Sequence, residues 1–461
     1  MPSALRELRA LVRLALPLAA AQAGTTLMGL VDVAVLGRLG ATELGAAGIG
    51  NSLFFAIAML GMGIVMGVDP LVSQALGARN PLHARRILWQ GIWLANAVAF
   101  ALMIPMGLSP LLLPLIGVEP SLIEPATIYV HVRMLSLPAF LMFIALRSYL
   151  QAHGVTRAMI FAALIANVFN FFADVLLVFG GGILPEWAGV LRRVPAMGVA
   201  GAALASVVAS LVQVAILAWA IRAMPLAEPV PKLRRLDREL FARGFRVGLP
   251  VGLQMGAEVG VFALAGLLAA KFGEAAVASH QIALTLASFT FTVAVGVGAA
   301  GSVRVGRAIG ARDREGTRVA GLVAFGAGAG FMAAAAVLFW LFPEALASMM
   351  TNQPGILMAA VPLLAVAAVF QISDGLQAVG AGVLRGAGDT TYAFVANIVG
   401  HWLVGLPIAL WLGFSLGFGV VGIWWGLCAG LTVVAVLLVV RFVRRSAGEI
   451  QPLESPAFPA P

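Results

Sequence analysis

Residues 25–40 read TTLMGLVDVAVLGRLG. After the two leading threonines the stretch is apolar or small apart from Asp32 and Arg38. A charge at membrane depth costs roughly 2.5 kcal/mol or more even on lenient scales, so an acid inside such a run marks a functional site. Three more acids have comparable surroundings: Asp174 in FNFFADVLLVFG, Glu258 in GLQMGAEVGVFA and Asp374 in VFQISDGLQAVG. The rest of the chain reads as a scaffold that holds these four groups.

The 461 residues are 61% hydrophobic and only 11% charged, with a mean hydropathy of +1.01. Soluble globular proteins carry about 25% charged residues, so this is a polytopic membrane protein. The 53 glycines suit closely packed membrane helices. The single cysteine, Cys428, lies in an apolar run, which excludes disulfides and thiolate–metal sites as organising features. No P-loop, GxSxG, HExxH or Cys/His cluster occurs, so ATP-driven transport and ordinary hydrolase chemistry lack support and no enzyme is expected.

Apolar runs long enough to cross a bilayer, roughly 20 residues each, fall near 12–37, 45–69, 88–116, 127–150, 158–181 and 196–221, then near 246–270, 276–300, 318–342, 356–384, 391–413 and 419–441. They predict an all-α fold of twelve transmembrane helices. Residues 1–221 form a first six-helix lobe, 222–245 a charged, proline-bearing cytoplasmic linker, 246–445 a second six-helix lobe and 446–461 a disordered tail. Arg6, Arg9 and Arg13 ahead of LALPLAAAQAG have the look of a signal peptide. The same pattern returns internally, RLALP at 13–17 as RVGLP at 246–250, so it is read as the start of a retained first helix.

That recurrence belongs to a repeat in one ungapped register. Arg13 pairs with Arg246, Pro17 with Pro250, Gly40 with Gly273, Ile49 with Ile282, Gly63 with Gly296, and Gly77-Ala78-Arg79 with Gly310-Ala311-Arg312. An even number of helices per repeat gives both halves the same orientation, as two bundles related by a pseudo-two-fold along the membrane normal. Charge does not follow the repeat: Ala265 stands opposite Asp32 and Thr25 opposite Glu258. With both termini on one side, all the basic residues collect there except Arg38, Arg133, Arg192, Arg193 and Lys271. Both termini are therefore expected in the cytoplasm. The net charge of +9 then reflects topology and attraction to anionic membrane lipid, and no nucleic-acid partner is expected.

Counting from helix ends places Asp32, Asp174 and Ser206 at one depth in the outer half of the first lobe. Asn167, Asn170 and Asp174 follow i, i+3, i+7 spacing, which puts them on one helix face. Two carboxylates, two amides and a hydroxyl make an all-oxygen set for protons or a hard cation. The competing reading makes the asparagines helix–helix glue and Asp174 a satisfied interior acid. Glu258 and Asp374 fall near mid-membrane in the second lobe, where they are placed to share a cation or a proton. Asp69, before Pro70, reads as a solvated cap at a cytoplasmic helix end. His401 reads either as lining a cavity or as a hydrogen-bonded interior histidine. No Lys or Arg is predicted in the interior.

Taken together, GLVDVAVLGRLG on the first helix, ASHQIA at 278–283 and DGLQAVGAGVLRGAGDT at 374–390 resemble the multidrug and toxic compound extrusion (MATE) family, and its NorM-like members in particular. The resemblance covers essentially the whole chain. It implies efflux of cationic, amphipathic drugs and toxins in exchange for sodium ions or protons. By position, Asp32 matches the acid that the family keeps on its first helix. Asn170, Asp174 and Ser206 resemble a first-lobe set, with Ser206 in place of a threonine. Glu258 and Asp374 match the second-lobe cation pair of NorM-type members, a site for Na+. Those members often carry a tyrosine one turn before the second acid, where this chain has Phe370, and an apolar ring there favours a proton over sodium. Asn167, Phe370, Gln281 and His401 are candidates for the substrate cavity.

The expected function is therefore a secondary antiporter in the inner or plasma membrane, a monomer without cofactor, coupled to H+ or Na+. The rival is a flippase of lipid-linked saccharides from the same superfamily, which would need a more cationic cavity for pyrophosphate.

Overall fold

The computed structural model describes residues 2–183, 185–224 and 234–453. The middle of the predicted linker (225–233) and the end of the predicted tail (454–461) lie outside them. Among the described residues there is no strand, and twelve helices are long and apolar enough to cross a membrane. They are α1 (Ala4–Leu36), α2 (Ala41–Gly77), α3 (Pro81–Leu112), α4 (Pro120–His153), α5 (Arg157–Phe179), α6 (Gly198–Arg222), α7 (Arg238–Ala270), α8 (Glu274–Gly310), α9 (Arg314–Leu341), α10 (Pro354–Gly386), α11 (Thr390–Ser415) and α12 (Gly419–Ser446). In lipid a helix satisfies its backbone groups within its own segment, as a closed barrel does between strands. Their ends follow local chemistry. Proline opens α3, α4 and α10, where its missing N–H costs nothing, and the Asp313 carboxylate caps α9 by accepting from the Gly316 N–H at 2.8 Å.

The repeat is visible in the backbone. Arg79 (φ 58°) and Arg312 (φ 55°), partners in the repeat, are the two non-glycine residues with positive φ among the described residues. Such a backbone disfavours any side chain, so its appearance at both positions marks one turn used twice. Just before these turns the helix ends cross. A Cβ on Gly77 would overlap the carbonyl of Arg307, and one on Gly310 that of Gln74. Gln74 and Arg307 are themselves repeat partners, so the crossing of α2 with α8 is reciprocal, the signature of a local two-fold.

The chain folds as two compact units. One holds the described residues up to Ala19, Asp69–Ala84 and the chain from Leu249 onward. The other holds Ala20–Val68 and Arg85–Gly248. The cuts in α1 and α7 fall beside the repeat-related Pro17 and Pro250, both inside helices, where proline removes an i→i−4 hydrogen bond. The N-terminal end of α1 and the C-terminal end of α2 thus belong to the unit built on α8–α12. In that unit Glu7 pairs with Arg304 (Nε–Oε1 2.6 Å) and Asp69 with Arg385 (3.4 Å). Asp69 is accordingly buried in an ion pair, in contrast to the solvated cap read from Asp69-Pro70.

The start of the tail also departs from the disorder predicted for 446–461. Ile450 is buried at 6% exposure. The Leu453 main-chain N–H donates to Gln74 Oε1 (2.8 Å), while Gln74 Nε2 donates to the Gly386 carbonyl (3.1 Å). An apolar side chain and a free amide acceptor are enough to dock this segment.

Candidate functional site

Each unit carries one acidic cluster. In the unit containing α3–α6, the C-terminal part of α1 presents Asp32, α5 presents Asn170 and Asp174 one turn apart, and α6 presents Ser206. The Asn170 side-chain nitrogen donates to Asp32 Oδ1 (2.6 Å) and to Asp174 Oδ2 (2.7 Å), and Ser206 Oγ donates to Asp32 Oδ2 (3.1 Å). Asn170, Asp174 and Ser206 are completely buried, while Asp32 is half-buried. One amide nitrogen thus holds two carboxyl groups within about 5 Å of each other, the range in which neighbouring charges act strongly on one another. The four residues come together as their spacing predicts. On the same α5 face, buried oxygens Asn170 Oδ1 and Asp174 Oδ1 have no hydrogen-bond partner.

Asn167, placed by sequence in the substrate cavity, does something different. Its amide nitrogen donates to the main-chain carbonyls of Gly24 (2.8 Å) and Ala163 (2.7 Å), so it fastens α5 to α1. A Cβ on Gly24 would stand 2.9 Å from that of Ala163, which shows how closely the two helices approach.

Arg133 is the residue the sequence reading misplaced. Counted among the outer-side basic residues, it lies inside the protein at 8% exposure. Its guanidinium stacks 4.5 Å from the Phe54 ring and donates to Ser136 Oγ (3.3 Å). It also lies within electrostatic range of Asp174. The interior is therefore not free of cations. A signal existed: Arg133 falls well inside the apolar run 127–150, and a guanidinium there needs an aromatic face and acceptors.

In the other unit, α7 presents Glu258, α10 presents Asp374 and Gln377 on one face, and α11 presents Asn397. Glu258 Oε2 accepts from Gln377 Nε2 (3.1 Å) and from Asn397 Nδ2 (3.4 Å). Asp374 is 5% exposed and within charge–charge range of Glu258, which is half-buried. Gln377 and Asn397 were not foreseen. Gln377 follows Asp374 at i+3 and was there to be found, whereas Asn397 is brought in by tertiary packing at the start of a π-helical stretch of α11, Ile398–Gly405.

The other cavity candidates scatter. Phe370 is buried in an aromatic cluster with Phe262 (6.2 Å between ring centres) and Trp424 (5.4 Å). His401 is buried beside Phe262 with Nδ1 donating to the Asn397 carbonyl (3.3 Å), the hydrogen-bonded interior histidine of the two readings. Gln281 is exposed, beside a cavity of about 610 Å³ also lined by Ala270, Gly273 and Glu274. Neither cluster includes it.

Comparison with known proteins establishes the family and the fold. The sequence model of the MatE family matches residues 17–176 and 250–411, one match in each half of the repeat. The chain is 37% identical to a probable multidrug resistance protein NorM from Pseudomonas putida, over 95% of this chain and 94% of that one. It is 33% identical to the multidrug resistance protein NorM of Burkholderia vietnamiensis over 96% and 95% of the two chains. Among solved structures, the eukaryotic MATE transporter AtDTX14 superposes with a TM-score of 0.84 at 21% identity, over 96% of both chains. A multidrug resistance MATE family transporter of the MOP superfamily in an outward-facing conformation gives 0.83 at 20% identity, again over 96% of both chains. The chain belongs to the MatE family of multidrug and toxic compound extrusion transporters.

Proposed function

We propose that this protein is a secondary antiporter that exports cationic amphipathic compounds by alternating access, driven by inward movement of protons or sodium ions. The observation that carries the reading is the Asn170 amide suspended between the carboxyl groups of half-buried Asp32 and fully buried Asp174 at 2.6 and 2.7 Å. Two carboxyl groups so placed in low dielectric hold a positive charge, proton or metal ion, at far less cost than two free anions. A site whose occupant is a single positive charge suits exchange, because an organic cation competes for the same charge or for the conformation it favours. Coupling then requires that the two occupants prefer different conformations. The NorM relatives, named for multidrug resistance, support drugs and toxins as cargo. The proposal includes a monomer in the cell membrane with both ends of the chain on the cytoplasmic side.

The flippase alternative loses its simplest counter-argument, because Arg133 is an interior cation. It gains little, however, since the Arg133 guanidinium is already engaged by Phe54 and Ser136. Efflux of a fluorescent organic cation from vesicles, under separately imposed proton and sodium gradients, tests the proposal. Movement driven by either gradient supports antiport, and indifference to both refutes it.

A further inference from the structure

A fixed cation shares the level of the first acidic cluster. Tyr129, buried on α4, packs in one apolar group with Val35 and Leu36 of α1, Val178 of α5, and Ala202 and Ala203 of α6. Successive membrane-crossing helices alternate in direction, so α4 and α6 run against α1 and α5. One turn from that apolar layer, in the same direction along all four helices, stand Asp32, Asp174, Ser206 and Arg133. Charge agrees with position. Arg133 is within electrostatic range of Asp174, and Tyr129 is within range of Arg133 and of both acids.

Local structure holds the guanidinium at this level. Directly after Arg133 the helix tightens into a 3-10 turn over Met134–Ser136, ahead of Pro138, which has no N–H to give to the Met134 carbonyl. Ser136 Oγ donates to the Arg133 carbonyl (2.7 Å) and accepts from Arg133 Nη1 (3.3 Å), while the Phe54 ring covers the guanidinium. These partners are all neutral, and Arg133 Nε is buried with no hydrogen-bond partner. A buried cation is costly unless anions offset it. The two carboxyl groups at its own level are the anions in range.

The sum of charges then decides what the cluster accepts. Two ionised carboxyl groups and one guanidinium leave a single negative charge. One added positive charge brings the cluster to neutrality, and a second leaves an uncompensated cation in low dielectric. Without Arg133 the same acids would call for two. We propose that Arg133 is the resident counter-charge of the first cluster, limiting it to one exchangeable positive charge and favouring singly over doubly charged organic cations. This deepens the antiporter reading by naming the charge class of the cargo, and rests on that reading for its use in transport.

The test uses a bipyridine quaternised at one nitrogen and the same bipyridine quaternised at both, which differ by one methyl group and one charge. Purified full-length protein in nanodiscs of zwitterionic lipid is titrated with each at fixed pH and ionic strength, and apparent affinity is read from thermal stabilisation. The wild type is expected to bind the singly charged probe at least about tenfold more tightly. Arg133→Gln and Arg133→Met should abolish or reverse that preference, either variant serving if the other does not fold. Arg133→Lys, which keeps the charge, should retain it. A general loss of stability weakens both probes alike and leaves their ratio unmoved. Equal affinity of the wild type for the two probes, an unchanged preference in the neutral variants, or its loss in Arg133→Lys overturns the proposal. Efflux of a fluorescent cation by the wild type under imposed proton and sodium gradients reports separately on whether the protein is an antiporter at all.

Discussion

The side-chain nitrogen of Asn170 stands 2.6 Å from Oδ1 of Asp32, a helix away, while it also holds Asp174 on its own helix at 2.7 Å. This one amide ties the fifth helix to the first through Asp32 and brings Asp174 to the same point. Asn167, one turn earlier on the same face, bonds only to main-chain carbonyls. The two asparagines therefore part company under mutation. Asn170→Leu is expected to abolish gradient-driven efflux, whereas Asn167→Leu keeps it and lowers stability by about 1 kcal/mol. Efflux assays and thermal unfolding of the two purified variants decide the matter. Equal loss of transport in both would mean that the α5 face acts as helix glue throughout.

Arg133 gives a second contrast. Its guanidinium is packed on Phe54 inside the protein, while Arg192 is exposed in the connection between α5 and α6. Arg133→Met removes a buried cation near the acids and is expected to reduce efflux and thermal stability, while Arg192→Met leaves both unchanged. Indistinguishable variants would return Arg133 to the surface role that its sequence position suggested.

The α2–α8 crossing predicts where the scaffold is least tolerant. A methyl group on Gly310 runs into the Gln74 carbonyl, whereas one on Gly330 meets nothing within 4 Å. Gly310→Ala is expected to cost about 1–3 kcal/mol through overpacking. Gly330→Ala, in the interior of α9, should be neutral or mildly stabilising, since alanine is the better helix former. Melting temperatures of the two variants in one detergent test the pair, and a Gly310→Ala protein as stable as wild type would deny the close approach.

Orientation is open to chemical labelling. Cys428 is buried, so it offers little background. A cysteine at the exposed Ala311 should react with reagents delivered from the cytoplasm, and one at Val190, 79% exposed, with reagents outside the cell. Val190 is preferred to its neighbour Gly189, whose φ of 55° a side chain would strain. Labelling of Ala311→Cys from outside intact cells would invert the topology.

Much of this was legible because membrane helices write their length and depth directly into sequence. Twelve runs, the repeat through Arg79 and Arg312, and the meeting of Asp32, Asn170, Asp174 and Ser206 all follow from periodicity and from counting residues from helix ends. What escaped depends on which helices become neighbours. The partners of Glu258 come from α10 and α11, and nothing local to Asn397 announces that it faces another helix's carboxylate. Arg133 was missed because a basic residue within the first two turns of an apolar run is readily counted as topological charge, and its stacking on Phe54 shows that it lies inside. The halves of the sequence also differ from the compact units, because the N-terminal end of α1 and the C-terminal end of α2 pack with the second repeat. Reciprocal crossings of that kind cannot be read from hydropathy.

Since the account turns on Asp32 as a group that must release one positive charge to accept another, the most direct measurement is gradient-driven uptake of a fluorescent organic cation into proteoliposomes containing wild-type or Asp32→Asn protein. The carboxamide keeps the size of the side chain and loses only the charge. The wild type is expected to accumulate the dye against its gradient when a proton or sodium gradient is imposed, while Asp32→Asn, folded and inserted to the same extent, is not. Accumulation by Asp32→Asn at the wild-type rate would contradict it.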